Sequence, residues 1–414
     1  MKHVIVIGAG AAGLMAALGA QRGGAEVTVL EKNEKAGKKI YITGKGRCNL
    51  TNACAEEEFF THVCSNSRFM YSSFYGLTNH DVCRLFEEEG LRLKTERGNR
   101  VFPASDHASD VIRTLTDAIY KEGGKILFQS QVSSVVTDRE GTVRGVRLLG
   151  GRTLDADAVI VCTGGLSYPS TGSTGDGYRF AAEAGHKVTQ TSPSLVPMNT
   201  LEDYIPAMQG LSLRNVTLRI YDNAKKIFED FGEMMFTHFG VTGPMILTAS
   251  AAVQRQLGTH PLQASIDLKP ALSEKQLDER FIRELSKGAN KHVRNVLPAV
   301  YPALLVPVIL QLCGLPPEKA CRDITREERH RLGCLTKAFP LTLVSLRGYN
   351  EAVITRGGVS TKEIYPDTMM SRKVKNLYFA GEVLDLDAET GGYNLQIAWS
   401  TGWAAGISAA QENE

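Results

Sequence analysis

The pattern of apolar and polar positions changes period twice within the opening segment of the chain. A β-branched run, Lys2 to Ile7 (KHVIVI), meets the glycine turn Gly8 to Gly13 (GAGAAG). An alanine-rich helical stretch, Leu14 to Arg22, follows, and then a second run, Glu26 to Leu30 (EVTVL), closed by Glu31. That order predicts a βαβ unit. Downstream, helical patterns near Asn79 to Glu89 and Ser109 to Glu122 flank a short strand and turn at Arg100-Val101-Phe102-Pro103. Strands are expected at Lys125 to Phe128, Val132 to Thr137 and Val143 to Leu149, and the apolar run Ala158 to Cys162 meets Thr163-Gly164-Gly165.

From about Pro193 to Leu268 short strands with Pro and Gly breaks predict a small β domain. From Ser273 to Ala338 the signals are helical: Gln276 to Leu285, an apolar segment interrupted by prolines, and Arg326 to Thr336. After Gly357 the α/β style returns with Asn376 to Ala380 (NLYFA), a glycine turn and a helix over Leu395 to Ala410. A first domain whose last strand and helix come at the end of the chain is a domain interrupted by an insertion. The expected fold is α/β, with a split Rossmann-like domain over 1–190 and 350–414. A β-rich insertion is expected over 191–272 and 337–349, and a small helical subdomain over 273–336.

Composition narrows the chemistry. Lys plus Arg number 47 against 45 Asp plus Glu, so no charge excess recruits nucleic acid or an anionic membrane, and a small-molecule substrate is the default. Eight cysteines show no CxxC pair and no zinc spacing, which reads as reduced thiols in a cytoplasmic protein with no metal. The apolar N-terminus resembles a signal peptide, but an internal strand, turn and helix explain it better. Pro298, Pro302 and Pro307 break the apolar stretch Val296 to Leu312, so no membrane insertion is expected. Glycine is the outlier: 40 in 414 residues, against a usual share of about 7%.

The glycines fall where a phosphate ligand needs them. In Gly8-x-Gly10-x-x-Gly13 the first permits a tight turn, the second admits a pyrophosphate and the third lets helix and strand pack closely. The helix N-terminus supplies N–H donors and positive dipole, and Glu31 can accept from ribose hydroxyls; Lys32 beside it is a cofactor-side candidate whose plainer reading is a solvated charge. Two further strands running into glycine turns, Ala158 to Gly165 (AVIVCTGG) and Leu377 to Glu382 (LYFAGE), favour FAD over NAD. Gly391-Gly392-Tyr393-Asn394-Leu395 opens the last helix, where its N–H groups can face the flavin's pyrimidine edge or simply cap the helix.

Three segments carry a resemblance to a known family. They are Gly37 to Asn52 (GKKIYITGKGRCNLTN), Gly164 to Gly177 (GGLSYPSTGSTGDG) and Gly381 to Asn394. With Arg100 to Pro103 and His238-Phe239-Gly240-Val241-Thr242-Gly243-Pro244, they closely resemble the BaiN / aminoacetone-oxidase family of bacterial flavoproteins over nearly the full length. The resemblance implies a two-dinucleotide-binding flavoprotein fold in which Thr43, Gly44, Arg47 and Asn49 contact FAD and the backbone of Val132 meets the adenine. With these stand Gly8, Gly10, Ala12, Gly13, Glu31, Lys32, Lys39, Cys48, Thr163, Gly164, Gly165, Asp176, Gly381, Glu382, Gly392, Asn394 and Leu395 as cofactor-binding candidates.

The family leaves the reaction open. The favoured reading is a reductase, with NAD(P)H as transient donor, of a C=C bond conjugated to a ketone in an apolar, steroid- or bile-acid-like substrate. The alternatives are an oxidase of a small amino ketone such as aminoacetone, and a flavin-binding sensor without turnover. Tyr168, His238 and Tyr393 are the catalytic candidates, each with a packing role as the plainer reading. Arg47 would lower the pKa of Cys48, but packing beside the cofactor suits that thiol better. Asp385 and Asp387 read as cofactor-side acids or as caps and surface charges.

Overall fold

The computed structural model describes residues 1–411 and divides into two units, Met1–Ser194 with the chain from Tyr349 on, and Leu195–Gly348. In the first unit strand β1 (His3–Ile7), helix α1 (Ala11–Arg22) and strand β2 (Glu26–Leu30) form the expected βαβ unit. The sheet has five parallel strands in the order Leu377–Phe379, Ala158–Val161, β1, β2, Lys125–Leu127. Every residue of Ala158–Val161 and all but the first of β1 is buried, as a parallel strand covered on both faces requires. β1 is therefore flanked by β2 on one side and by a strand some 150 residues later on the other, which is the switch point where α/β sheets bind ligands.

The helix Tyr393–Ala410 starts two residues earlier than its hydrophobic pattern suggests, because Gly392 turns the chain at φ 103°. It lies along α1 at very short range. A Cβ on Gly402 would stand 2.4 Å from the Ala12 carbonyl oxygen, and one on Gly406 2.2 Å from that of Ala16. Two smaller sheets, Val132–Thr137 with Val143–Leu148 and Thr153–Asp155, and Thr51–Asn52 with Arg100–Pro103 and Leu93–Glu96, complete the unit with helices Asn79–Glu88 and Ala108–Lys121.

The second unit differs from the expected short-stranded β region. Its strands reach eleven and twelve residues, Ser212–Asp222 and Lys225–Phe236, within a closed six-stranded barrel. It also contains a helix, Pro244–Leu257, where a break was expected. Pro244 starts that helix: at its first position a proline loses no hydrogen bond and its fixed φ suits the turn. The prolines of the later apolar segment do break it, into Val293–Val296, single turns at Leu297–Ala299 and Ala303–Leu305, and Val306–Cys313. Phe281, Leu305, Ile309 and Leu332 of the helical segment share one core with Phe236, Leu262 and Phe339 of the barrel. Among the described residues no helix is long and apolar enough to cross a membrane.

These glycines differ sharply in what they permit. Gly406→Ala should lower stability by about 1–3 kcal/mol through overpacking. Gly333→Ala, in the helix Arg326–Lys337 with nothing within 4 Å of its new methyl, should raise it by about 0.5–1 kcal/mol. Denaturant midpoints of the two variants check the pair.

Candidate functional site

The carboxyl ends of β1, Ala158–Val161 and Leu377–Phe379 release three glycine turns on one edge of the sheet. At the first, Gly8 takes φ 102°, and a Cβ on Gly13 would fall 1.8 Å from the Gly8 carbonyl oxygen. Gly10 differs: an added Cβ there meets nothing within 4 Å. α1 begins without a side-chain cap, so its first N–H groups stand available beside that open space.

Glu31 ends β2 almost wholly buried. Its Oε2 accepts from the Ala9 N–H at 2.8 Å, and its Oε1 from the backbone N–H of Asn33 at 2.8 Å and the Asn33 amide at 2.7 Å. An ionised carboxylate has about four acceptor positions, so one remains for a ligand hydroxyl. Lys32 is not a solvated charge: it pairs with Asp176 at 2.7 Å and donates to Thr174 at 2.6 Å, tying β2 to the first turn of Asp176–Glu183.

The other two turns are tied together by Glu382. Its Oε2 accepts from Lys39 at 2.5 Å, and its Oε1 from the Ser167 hydroxyl at 2.6 Å and the Thr355 N–H at 2.9 Å. Thr355 Oγ1 in turn accepts from the N–H groups of Leu166 and Ser167 at 2.8 and 3.0 Å. Gly164 and Gly381 adopt φ 72° and 77°, and a Cβ on Gly381 would lie 2.6 Å from that of Ala12. Gly392, at φ 103°, backs onto Thr51, and Asn394 latches the loop through Ala388 N–H at 2.9 Å and the carbonyls of Ala388 and Glu389 at 2.7 and 3.1 Å. Leu395 is half-buried beside it.

Within the Gly37 to Asn52 segment, residues Lys38–Ile42 form a short helix and Thr43 Oγ1 closes it on the Ile40 carbonyl at 2.7 Å. Arg47 spends its charge inside the protein, on Glu96 at 2.8 Å and Asp106 at 3.1 Å, above the Phe102 ring. Cys48 is fully buried, and burial pushes its thiol up to about 12, so Arg47 does not activate it. Val132 is a buried strand residue, with its side chain in the core.

The open space at Gly10, the uncapped first turn of α1 and the spare acceptor position of Glu31 fit the diphosphate and ribose of a dinucleotide. Asn49 Oδ1, Thr163 Oγ1 and the Tyr178 hydroxyl are buried without a protein partner. Each unsatisfied group costs about 1–3 kcal/mol, and protein atoms close all three off from solvent. Among the described residues no cluster of three or more His, Cys, Asp or Glu is arranged to hold a metal.

The three catalytic candidates stand in different surroundings. His238 belongs to the second unit, where it is exposed and packs edge-on against Phe239 at 5.0 Å. Tyr393 is buried and stacks on His62, ring centroids 4.3 Å apart. Tyr168 sits in the Gly164 to Gly177 turn at φ 51°, an uncommon conformation for a side-chain-bearing residue, and burial raises its phenol pKa. Asp387 is neither cap nor surface charge. It is completely buried, both carboxyl oxygens lack a partner at hydrogen-bonding distance, and burial raises its pKa against the influence of Ser65 and Arg356. Sequence reasoning missed Ser167, Tyr178 and Thr355; the Gly357-Gly358 pair beside Thr355 was the available signal.

His62 offers a direct electrostatic check. Its Nδ1 lies 2.7 Å from Glu389, whose hydrogen bond raises the imidazole pKa above 6.5. A raised folded-state pKa stabilises the protein below the unfolded value, and that contribution is lost as pH rises through the folded one. NMR titration should place the His62 midpoint above 6.5, and Glu389→Gln should return it toward that value.

A family model described as the HI0933-like protein Rossmann domain matches residues 2–408. The 3-dehydro-bile acid delta(4,6)-reductase of Clostridium scindens is 31% identical, over 99% of this chain and 100% of its own. The ribosomal RNA dihydrouridine synthase of Haemophilus influenzae is 32% identical, over 99% and 98%. A 3-ketosteroid delta1-dehydrogenase from Sterolibacterium denitrificans shares the fold, with TM-score 0.51 at 13% identity over 99% of this chain and 100% of that one. The chain belongs to the HI0933-like Rossmann family, as its resemblance to BaiN-type flavoproteins implied, and is an FAD-dependent oxidoreductase.

Proposed function

We propose that this flavoprotein reduces a C=C bond conjugated to a carbonyl group in an apolar ring substrate of the 3-keto steroid kind, drawing electrons from NAD(P)H. One observation carries the reading: two relatives matched over essentially their full lengths have names describing that one chemistry. A 3-dehydro bile acid with Δ4 and Δ6 bonds is a conjugated ketone, and uridine becomes dihydrouridine when the C=C bond conjugated to its C4 carbonyl gains two hydrogens. When bound, FAD supplies the hydride.

The chain's own residues do the rest. The Gly8 to Gly13 turn and the first N–H groups of α1 hold the diphosphate, and Glu31 accepts from a ribose hydroxyl. Lys39 and Glu382 keep the turns around it in register. The N–H groups opening Tyr393–Ala410 favour the negative charge of the reduced cofactor. Tyr168 is the proton donor in this reading, because it stands in the Gly164 to Gly177 turn with a phenol that carries its proton at neutral pH. His238, a candidate on the sequence alone, stands exposed on the second unit.

A second reading, a uracil base within RNA as substrate, is favoured by the dihydrouridine synthase relatives. It removes the force of excluding nucleic acid on net charge: a formal charge of +2 over the whole chain speaks against non-specific binding, not against reading one base.

Anaerobic mixing separates these possibilities. NADH or NADPH should bleach the flavin, and a 3-keto-4,6-diene steroid should restore its colour while gaining two hydrogens. Recovery of colour with a uridine-containing rRNA fragment instead moves the substrate to the second reading. Bleaching by aminoacetone, with peroxide on admitting air and no response to nicotinamide, overturns the reductase.

Glu31→Ala should weaken FAD by about 10- to 100-fold, since hydrogen bonds to a charged acceptor are worth about 1.5–3 kcal/mol. Equilibrium dialysis measures it, and unchanged affinity removes Glu31 from the site.

A further inference from the structure

Helix Met70–Gly76 has aromatic residues on two faces, and the fold uses one. Met70 and Phe74 are completely buried, whereas Tyr71 and Tyr75, one turn apart, are 46% and 50% exposed. Phe60 joins them from the preceding segment: its ring stacks on Tyr71 with centroids 4.2 Å apart and planes 6° from parallel, and lies 5.9 Å from Tyr75. The three rings form a continuous surface patch.

Acids border the patch. The first turn of the short helix Glu56–Phe59 is Glu56, Glu57 and Glu58. Glu57 and Glu56 both act on the Tyr75 hydroxyl, adding to the effect of burial in raising its pKa. Between Ala53 and Leu77 these three acids face one basic residue of full charge, Arg68. Ring faces and carboxylates both attract cations, so the two features select the same kind of group. Phosphate-rich ligands and anionic lipid are repelled by the same acids.

The patch also leads inward. Phe60 meets Phe59 and Phe74 edge-on at 5.5 and 5.1 Å, Phe59 stacks on Phe74 at 4.3 Å, and Phe59 reaches Tyr393 at 6.0 Å. Tyr393 directly follows the Gly391-Gly392 turn. A ligand ordering Tyr71 and Phe60 therefore presses on a rigid stack whose inner end is the cofactor-side loop.

We propose that the Phe60, Tyr71 and Tyr75 face, with Glu56, Glu57 and Glu58, is a docking surface for a partner protein that presents a lysine- and arginine-rich loop. The loop's cations lie over the tyrosine rings and pair with the glutamates. Three rings and three carboxylates make a surface well below the roughly 800 Å² per partner of a stable complex. The contact is a transient one, weakened by salt.

The test uses the FAD-loaded enzyme and a fluorescent octalysine peptide, followed by anisotropy at low and high ionic strength. Wild type should bind at low salt and release at high salt. The Tyr71→Ser/Tyr75→Ser variant and the Glu56→Gln/Glu57→Gln/Glu58→Gln variant should each bind about 10-fold more weakly, in line with cation–π contacts of about 0.5–2 kcal/mol. Thermal midpoint and flavin content of both variants report their folding. Glu87→Gln/Glu88→Gln, exposed acids on Asn79–Glu88, is the control and should bind as wild type does. Equal affinity in wild type and the tyrosine variant, or an equal loss in the control, overturns the proposal. So does a wild-type dimer in sedimentation that Tyr71→Ser/Tyr75→Ser dissociates, because the occupant would then be a second copy of this chain.

Discussion

The first unit depends on how closely two helices from opposite ends of the chain approach each other. α1 reads AAGLMAALGAQR, and Tyr393–Ala410 brings Gly402 and Gly406 against the carbonyls of Ala12 and Ala16. Gly19 approaches Trp403 from the other side. Small residues on both helices let the backbones meet where side chains normally keep helix axes about 8–10 Å apart. The consequence reaches the site. The same contact brings Ala12, in the first turn of α1, under Gly381, so that the turn after β1 and the turn after Leu377–Phe379 stand side by side. A dinucleotide can then be gripped by both ends of the chain at once.

An interruption of this unit is tolerated because its two broken ends are held together. Ser192–Ser194, where the chain leaves, pairs antiparallel with Ile354–Arg356, where it has returned. Thr355 in that ribbon donates its N–H to Glu382 and accepts from Leu166 and Ser167. The ribbon that closes the insertion is therefore part of the frame around the cofactor-side turns. A fault in closure would loosen Glu382 directly.

The extent to which the sequence disclosed this follows from how local each signal is. The βαβ unit was legible because a β-branched strand, a glycine turn and an alanine-rich helix follow one another within a few residues. The barrel was only half legible: its β character showed in composition, but strand length and closure depend on pairing between distant segments, and Pro244 signals a break and a helix start equally well. Charges were the least legible. Arg47 is held by Glu96 and Asp106, which lie 49 and 59 positions away. Lys32 looked solvated because Asp176 is 144 positions away. No local pattern encodes either pair.

Asp387 shows why that loss of long-range information matters most for carboxylates. Its loop carries Asp385, Asp387 and Glu389, three acids at alternate positions that look alike in the sequence. Folding separates them: Glu389 reaches His62, while Asp387 is enclosed with Ser65, Ser194 and Arg356 near it and no bonded partner for either oxygen. Burying an ionised carboxylate without partners costs far more than protonating it. Burial therefore raises the Asp387 pKa, while Ser65, Arg356 and Ser194 beside it act the other way.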